Sequence, residues 1–312
     1  KAFLEENYVK NNDNYRTSLR AELNSTYIGN EFKSYSLSWE DVRKEMMKDE
    51  EFGGALKKDN LVRDLLPNEI KQIPTELKKA EAILKFVQKN YTWDKKRGAF
   101  VDEGIKNLIN TKVGNAAEIN ILLILLLRNA GIKANPVVLS TVDRGMLTNY
   151  LPSITSLNYL IACFDSKDKL YILDATSKLS SINVIPPRAV NYIGYIFSEE
   201  KADQINLVNP EKSNTYLEVN AQLEKDATFA GHFTDRDTKI YAMLNSEEYD
   251  KDKEGYQKDN YKERYKFPLS NLKSGLLNDN EFETSFDFTS DTFVDGVGGK
   301  FIFNPLLFLY SK

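Results

Sequence analysis

The chain has one cysteine and one histidine in 312 residues. A structural zinc site needs four Cys or His ligands, which Cys163 and His232 cannot supply, and a lone thiol closes no internal disulfide. A positive excess is also missing. With 42 Lys and Arg against 46 Asp and Glu, the net charge is −4, so no basic field drives nucleic-acid binding through counterion release. Long apolar runs are absent as well: the longest, Ile121 to Leu127, is seven residues, whereas about 20 span a bilayer. These absences argue against nucleic acid as a partner and against a transmembrane segment, and they imply neither metal nor cofactor. The chain starts at Lys1 without methionine and reads as a mature or excised fragment.

What is present suffices for a folded protein. A 41% apolar and 12% aromatic content predicts a sizeable core in two or three domains. Strand-like segments are expected around Tyr8 and from Tyr15 to Leu23, and two strands alone are marginal, so they should finish a sheet begun elsewhere. Ser38 reads as the N-cap of a helix from Trp39 to about Asp49, with Gly53-Gly54 punctuating its end. Leu77, Ala80, Ile83, Leu84 and Val87 recur at helical spacing after Pro74, and a further short helix is expected over Asp102 to Asn110.

Asn115 is a good N-cap, and Glu118 sits where a capping-box acid reaches back, so a helix should begin at Ala116. Its body, Ile119 to Leu127, is apolar on all sides, which predicts a buried central helix closed by Gly131. A strand is expected from Pro136 to Thr141. Asn158 to Phe164 and Lys169 to Thr176 read as a hairpin turning through Asp165-Ser166-Lys167-Asp168. A four-residue loop would place Tyr159 directly opposite Asp174, about 5 Å apart at Cβ. The same face carries Ile161, Cys163, Leu170 and Ile172, a strip suited to covering the central helix. After Val208-Asn209-Pro210, strands are expected at Tyr216 to Leu223, Ala227 to Phe233, Phe282 to Phe288 and Lys300 to Leu309, predicting a small β-sandwich.

The order Gly114, buried helix, Gly131-Ile132, strand, Asn158-Tyr159 and then Leu173-Asp174-Ala175-Thr176 resembles the transglutaminase-like fold, a relative of papain, over roughly residues 70 to 200. The flanking Ser38-Trp39-Glu40 and Phe52-Gly53, with Gly298-Gly299-Lys300 and Asn304-Pro305-Leu306, are similar to domains that bracket such a core in bacterial exported proteins. The resemblance implies an α+β chain: 1–65, the end of an N-terminal β-rich domain and a linking helix; 66–207, a core of a central buried helix on an antiparallel sheet; and 208–312, the β-sandwich.

In that family a Cys opens the helix, a His follows on the next strand, and an Asp orients the His, which is the logic of nucleophile, base and orienter. These roles fall on Ala116, Tyr159 and Asp174. Alanine is no nucleophile, and a phenol of ordinary pKa near 10 cannot take a thiol proton at neutral pH as an imidazole can. Only Asp174 remains, and a hydrogen bond from Tyr159 to it is expected. Tyr91 and Trp93 lie where the family places a group near the oxyanion site. Asn115, Asn158 and Arg144 complete the candidate lining of a cleft.

Two other patterns fail on inspection. Asp250 to Gly255 imitates half of a calcium loop, but Tyr261 stands where the bidentate Glu belongs, leaving a solvated charged loop as the expectation. Gly296 to Lys300 is followed by Phe301 where a phosphate loop needs Ser or Thr, so a tight turn is expected. Cys163 on the buried strip reads as a core thiol, and His232 as a strand residue with a surface or packing role.

The reading is therefore an inactive transglutaminase-like binding or scaffolding module of a bacterial envelope, periplasmic by resemblance, holding a protein, peptide or glycan in a degenerate cleft. The alternative is a cysteine peptidase or acyltransferase whose nucleophile was replaced at Ala116. A third reading makes the β domains the interacting parts and the core a spacer.

Overall fold

The computed structural model describes residues 9, 11–17, 23, 25–34, 38–208, 211–265, 267–278, 280–304 and 306–310. The chain divides into two compact units, Lys1–Pro210 and Glu211–Lys312. The expected strand around Tyr8, and residues 18–22 of the one running to Leu23, lie outside the described residues. Tyr15 ends a 3-10 helix, Asn12–Tyr15, instead of starting a strand. A hairpin of β1 (Ser25–Ile28) and β2 (Glu31–Ser34) follows.

Helix α1 (Trp39–Lys48) begins where Ser38 accepts a bond from the Asp41 N–H. Gly53 and Gly54 do not end it as bare punctuation but belong to a π-helix, Glu50–Gly54. Next come α2 (Asn68–Lys71) and α3 (Glu76–Asn90), which buries Ala80, Ile83, Leu84 and Val87. Leu77 stays exposed, because it lies in the first turn before the helix reaches the core. The two-residue strand β3 (Thr92–Trp93) pairs in parallel with β4 (Val113–Gly114) across α4 (Ile105–Thr111).

Helix α5 (Ala116–Asn129) is the central one. Every residue from Ala116 to Leu127 is buried. Both halves of the capping box form: the Asn115 side chain accepts from the Glu118 N–H, and Glu118 Oε2 accepts from the Asn115 N–H at 2.8 Å. Gly114 has no Cβ for a reason, since one would lie 2.6 Å from Glu118 Oε2. The helix ends in a Schellman motif, with Gly131 at φ +85° and the Ile132 N–H on the Leu127 carbonyl.

Five antiparallel strands form the sheet beside it: β5 (Ala134–Leu139), β6 (Tyr159–Ser166), β7 (Lys169–Leu173), β8 (Ile193–Phe197) and β9 (Ala202–Asn206), in the order β7-β6-β5-β8-β9. The hairpin register differs from the expected one. Lys167 and Asp168 alone make the turn, both at positive φ, and Ser166 pairs with Lys169. Every pair is displaced by two residues, so Ala162 faces Leu173 and Asp174 falls diagonal to Tyr159 rather than opposite it. A shift of two keeps each side chain on its predicted face.

The face that covers α5 is the other one. Leu160, Ala162, Phe164 and Leu173 share the main core with α5, while Tyr159, Ile161, Cys163 and Ile172 pack with Val137, Ile185 and Leu207 in a second cluster. Strand β6 is buried on both faces, so the apolar strip could not reveal which side the helix took. Leu170, near the turn, is largely exposed. Burial pushes the Cys163 thiol up to about 12, as expected of a core cysteine.

The second unit is one four-stranded antiparallel sheet of β10 (Thr215–Leu223), β11 (Phe229–Thr238), β12 (Leu269–Asn278) and β13 (Glu281–Ser290), in the order β10-β11-β13-β12. The expected β-sandwich is corrected: among the described residues the partner layer is mainly helical, joined by a short two-stranded hairpin within residues 294–303. Helices α6 (Ile240–Lys251) and α7 (Lys253–Gln257), with a π-helix Lys258–Lys262, lie on the face bearing Phe233, Phe282 and Phe286. The opposite face carries ion pairs, His232 with Asp287 and Arg236 with Glu283. The expected charged loop at Asp250 to Gly255 is helical as well, with Asp252 capping α7 through the Gly255 N–H. A hairpin of β14 (Val294–Val297) and β15 (Lys300–Phe303) turns tightly at Gly298-Gly299, both at positive φ. The strand expected to run to Leu309 stops at Phe303, and a 3-10 helix, Leu307–Tyr310, follows.

Candidate functional site

Ala116, Tyr159 and Asp174 come together, and all three are fully buried. Ala116 is the first residue of α5, and its N–H donates to the Lys96 carbonyl at 3.1 Å. That carbonyl also accepts from the Trp93 indole at 2.7 Å. The donor at the helix start is therefore spent on a backbone oxygen.

Tyr159 stands at the entrance to β6. Its hydroxyl donates to Asp174 Oδ2 at 3.0 Å, and the Thr176 hydroxyl donates to Asp174 Oδ1 at 2.7 Å. Arg188 completes the arrangement: Nε donates to the Tyr159 hydroxyl at 3.1 Å and Nη2 to the Thr176 hydroxyl at 2.6 Å. One guanidinium fork thus grips two hydroxyls, and the two hydroxyls grip one carboxylate. Burial and the Asp174 charge raise the Tyr159 hydroxyl far above its ordinary value, so it remains a neutral phenol at any working pH.

Asp174 is held from the helix side too. Asn120 Nδ2 donates to Asp174 Oδ1 at 3.1 Å and to the Leu160 carbonyl at 2.9 Å, while its Oδ1 accepts from the Ala175 N–H. Asn120 lies one turn beyond Ala116 and faces the same way. Above this buried layer the Arg188 guanidinium sits 4.2 Å from the Trp93 ring centroid, with Lys95 Nζ at 5.2 Å from the same ring. Trp93 and Arg188 are half-buried and form the accessible surface over the site.

The other candidates have different duties. Asn115 is the cap of α5 and binds the Phe100 carbonyl. Asn158 links strands by exchanging bonds with Thr141. Tyr91 is buried in the main core, apart from the Trp93 cluster, with Lys112 Nζ 4.6 Å from its ring. Arg144 is exposed and ties its loop to the Thr155 carbonyl. Arg188, Thr176, Asn120 and Lys96 were not singled out from sequence. Asn120 carried a signal, as the single polar side chain within Ile119 to Leu127, whereas Arg188 offered only its place after Pro186-Pro187.

A capped helix start stands beside a Tyr that opens β6 and an Asp just past the end of β7. Residues 64–164 match the transglutaminase-like superfamily. The matched stretch contains Ala116 and Tyr159 and stops short of Asp174 and Arg188. Among solved structures, a "putative protease" from Parabacteroides distasonis is similar at 11% identity and a TM-score of 0.36, covering 86% of this chain. The chain spans 53% of that structure's length. No curated protein sequence matches the chain. Among the described residues no helix is long and apolar enough to cross a membrane, and no three Cys, His, Asp or Glu side chains converge as a metal site would need.

Proposed function

We propose that the chain is a catalytically silent transglutaminase-like protein that serves as a binding or scaffolding module of a bacterial envelope. The observation that carries this reading is the buried hydroxyl of Tyr159 between Arg188 and Asp174. At the base position stands a neutral group committed at both ends, and at the nucleophile position a methyl with no exposed surface. What is left for recognition is the rim, where Trp93 and Arg188 offer an aromatic face and a cation to a protein, peptide or glycan. In this reading residues 1–65 are the end of an N-terminal β-rich domain plus a linking helix and 66–207 the core, and the envelope location rests on the resemblance of the flanks.

Peptide hydrolysis and amine incorporation into glutaminyl peptides are expected to match those of a Tyr159→Phe/Asp174→Asn double variant, that is, background. Turnover above that variant overturns the reading. Panels of peptides and glycans should yield a ligand whose binding is lost in Trp93→Ala.

A further inference from the structure

At the far end of α5, about 18 Å from Ala116 at 1.5 Å per residue, a cavity of about 260 Å³ opens between α1, the π-helix, the end of α5 and the β8–β9 turn. Arg43, Met47, Leu56, Lys57, Arg128 and Glu199 line it. Two guanidinium groups converge there, and the backbone fixes both. Arg43 donates through Nη1 to the Ser198 and Glu199 carbonyls and pairs with Glu40. Arg128 donates through Nε to the Ala134 carbonyl at 2.8 Å and through Nη1 to the Leu56 carbonyl at 3.0 Å.

The two arginines differ in their counter-charge. Arg43 has a carboxylate in contact. Arg128 has none within ion-pair distance among the described residues, although Asp59 and Glu199 act on it from further away, and burial lowers its basicity. Its Nη2 has no acceptor there. A part-buried guanidinium held by neutral carbonyls and bordering a cavity meets the usual demand for a compensating anion incompletely.

We infer that this cavity binds a small monocarboxylate with a short apolar tail, its carboxylate on Arg128 and its chain against Met47 and Leu56. A planar carboxylate suits the guanidinium fork, and charge-assisted bonds to it are about twice as strong as neutral ones. Lys57 adds a third cation at the exposed edge. Glu199 on the wall disfavours a dianion, which selects a carboxylate over inorganic phosphate. The backbone carbonyls hold both guanidinium groups in place beforehand, so binding costs little reorganisation.

The test is titration of the full chain with sodium butyrate at constant ionic strength, followed by calorimetry and by the Nε–Hε resonance of Arg128, with sodium chloride and inorganic phosphate as comparisons. Saturable butyrate binding with a shift of that resonance is expected, weakened at least tenfold in Arg128→Gln and several-fold in Lys57→Ala. Chloride or phosphate matching butyrate overturns the proposal, as does butyrate binding that leaves the resonance unmoved. Should Arg128→Gln fail to fold, the unmodified chain and Lys57→Ala still decide.

Discussion

Arg188 and Asp174 are joined through two hydroxyls: those of Tyr159 and Thr176 stand between them, each accepting from the guanidinium and donating to the carboxylate. A buried carboxylate left alone costs several kcal/mol, so this relay stabilises Asp174 inside the fold.

Each arm of the relay should be measurable. Tyr159→Phe removes one hydroxyl from a fully buried layer and should cost about 1–3 kcal/mol. Arg188→Gln should cost about 3 kcal/mol or more, since it strips the charge partner and leaves the carboxylate buried. The double variant should lose less than the sum, by at least about 1 kcal/mol, because the two changes break one network. Urea unfolding of the four proteins gives the coupling, and strict additivity would show that the groups act independently.

Glu118 predicts a larger loss than an ordinary capping residue. Its carboxylate accepts from the Asn115 N–H and from the N–H groups of Glu103 and Gly104, both at 2.7 Å. Glu118→Ala orphans three donors near a buried helix start and should cost about 3 kcal/mol or more, where a simple cap costs about 1. Thermal denaturation checks this, and Glu118→Gln, which keeps an acceptor, should lose less.

An alkylation experiment probes the helix start. Ala116 has no exposed surface and its N–H is bonded to Lys96. In an Ala116→Cys/Cys163→Ser background, iodoacetamide should react far more slowly than with a free thiol, with no acceleration between pH 5 and 7. A thiolate already reactive at pH 6 would mean that the helix still activates a nucleophile.

Asp235 sets a pH dependence in the second unit. Burial, then the neighbouring Asp237, push its carboxyl up to about 6, and its Oδ1 has no partner. A carboxyl whose folded value lies above the unfolded value of about 3.9 stabilises the fold in its protonated form. Its contribution is therefore greatest below about pH 4 and declines as pH rises through 6. Asp235→Asn should raise stability by on the order of 2 kcal/mol at pH 7 and by little at pH 4. An equal effect at both pH values would contradict this.

The local chemistry of the core was legible where it depends on short-range rules. Asn115 and Glu118 announce the start of α5, and period two puts Tyr159 on the same face as Asp174 whether the turn has two residues or four. A two-residue turn needs positive φ at Lys167 and Asp168, residues that do not advertise it as Gly would. Which face of β6 met α5 was hidden, because both faces are apolar. Arg188 was hidden too, since it reaches the site across the fold from a 3-10 turn. In the second unit the charges from Glu247 to Lys253 masked α6 and α7, whose buried contacts are few: Ala242, Met243, Ser246 and Tyr256.

The double use of the Lys96 carbonyl, by the Ala116 N–H and by the Trp93 indole, ties the rim of the site and the start of α5 to one oxygen. Trp93 also lies against Arg188, whose guanidinium holds the Tyr159 and Thr176 hydroxyls, so one ring touches both ends of the buried layer. A ligand that shifted the Trp93 ring would therefore move the helix start and the hydroxyl pair together, so the site answers a load at its surface as one body.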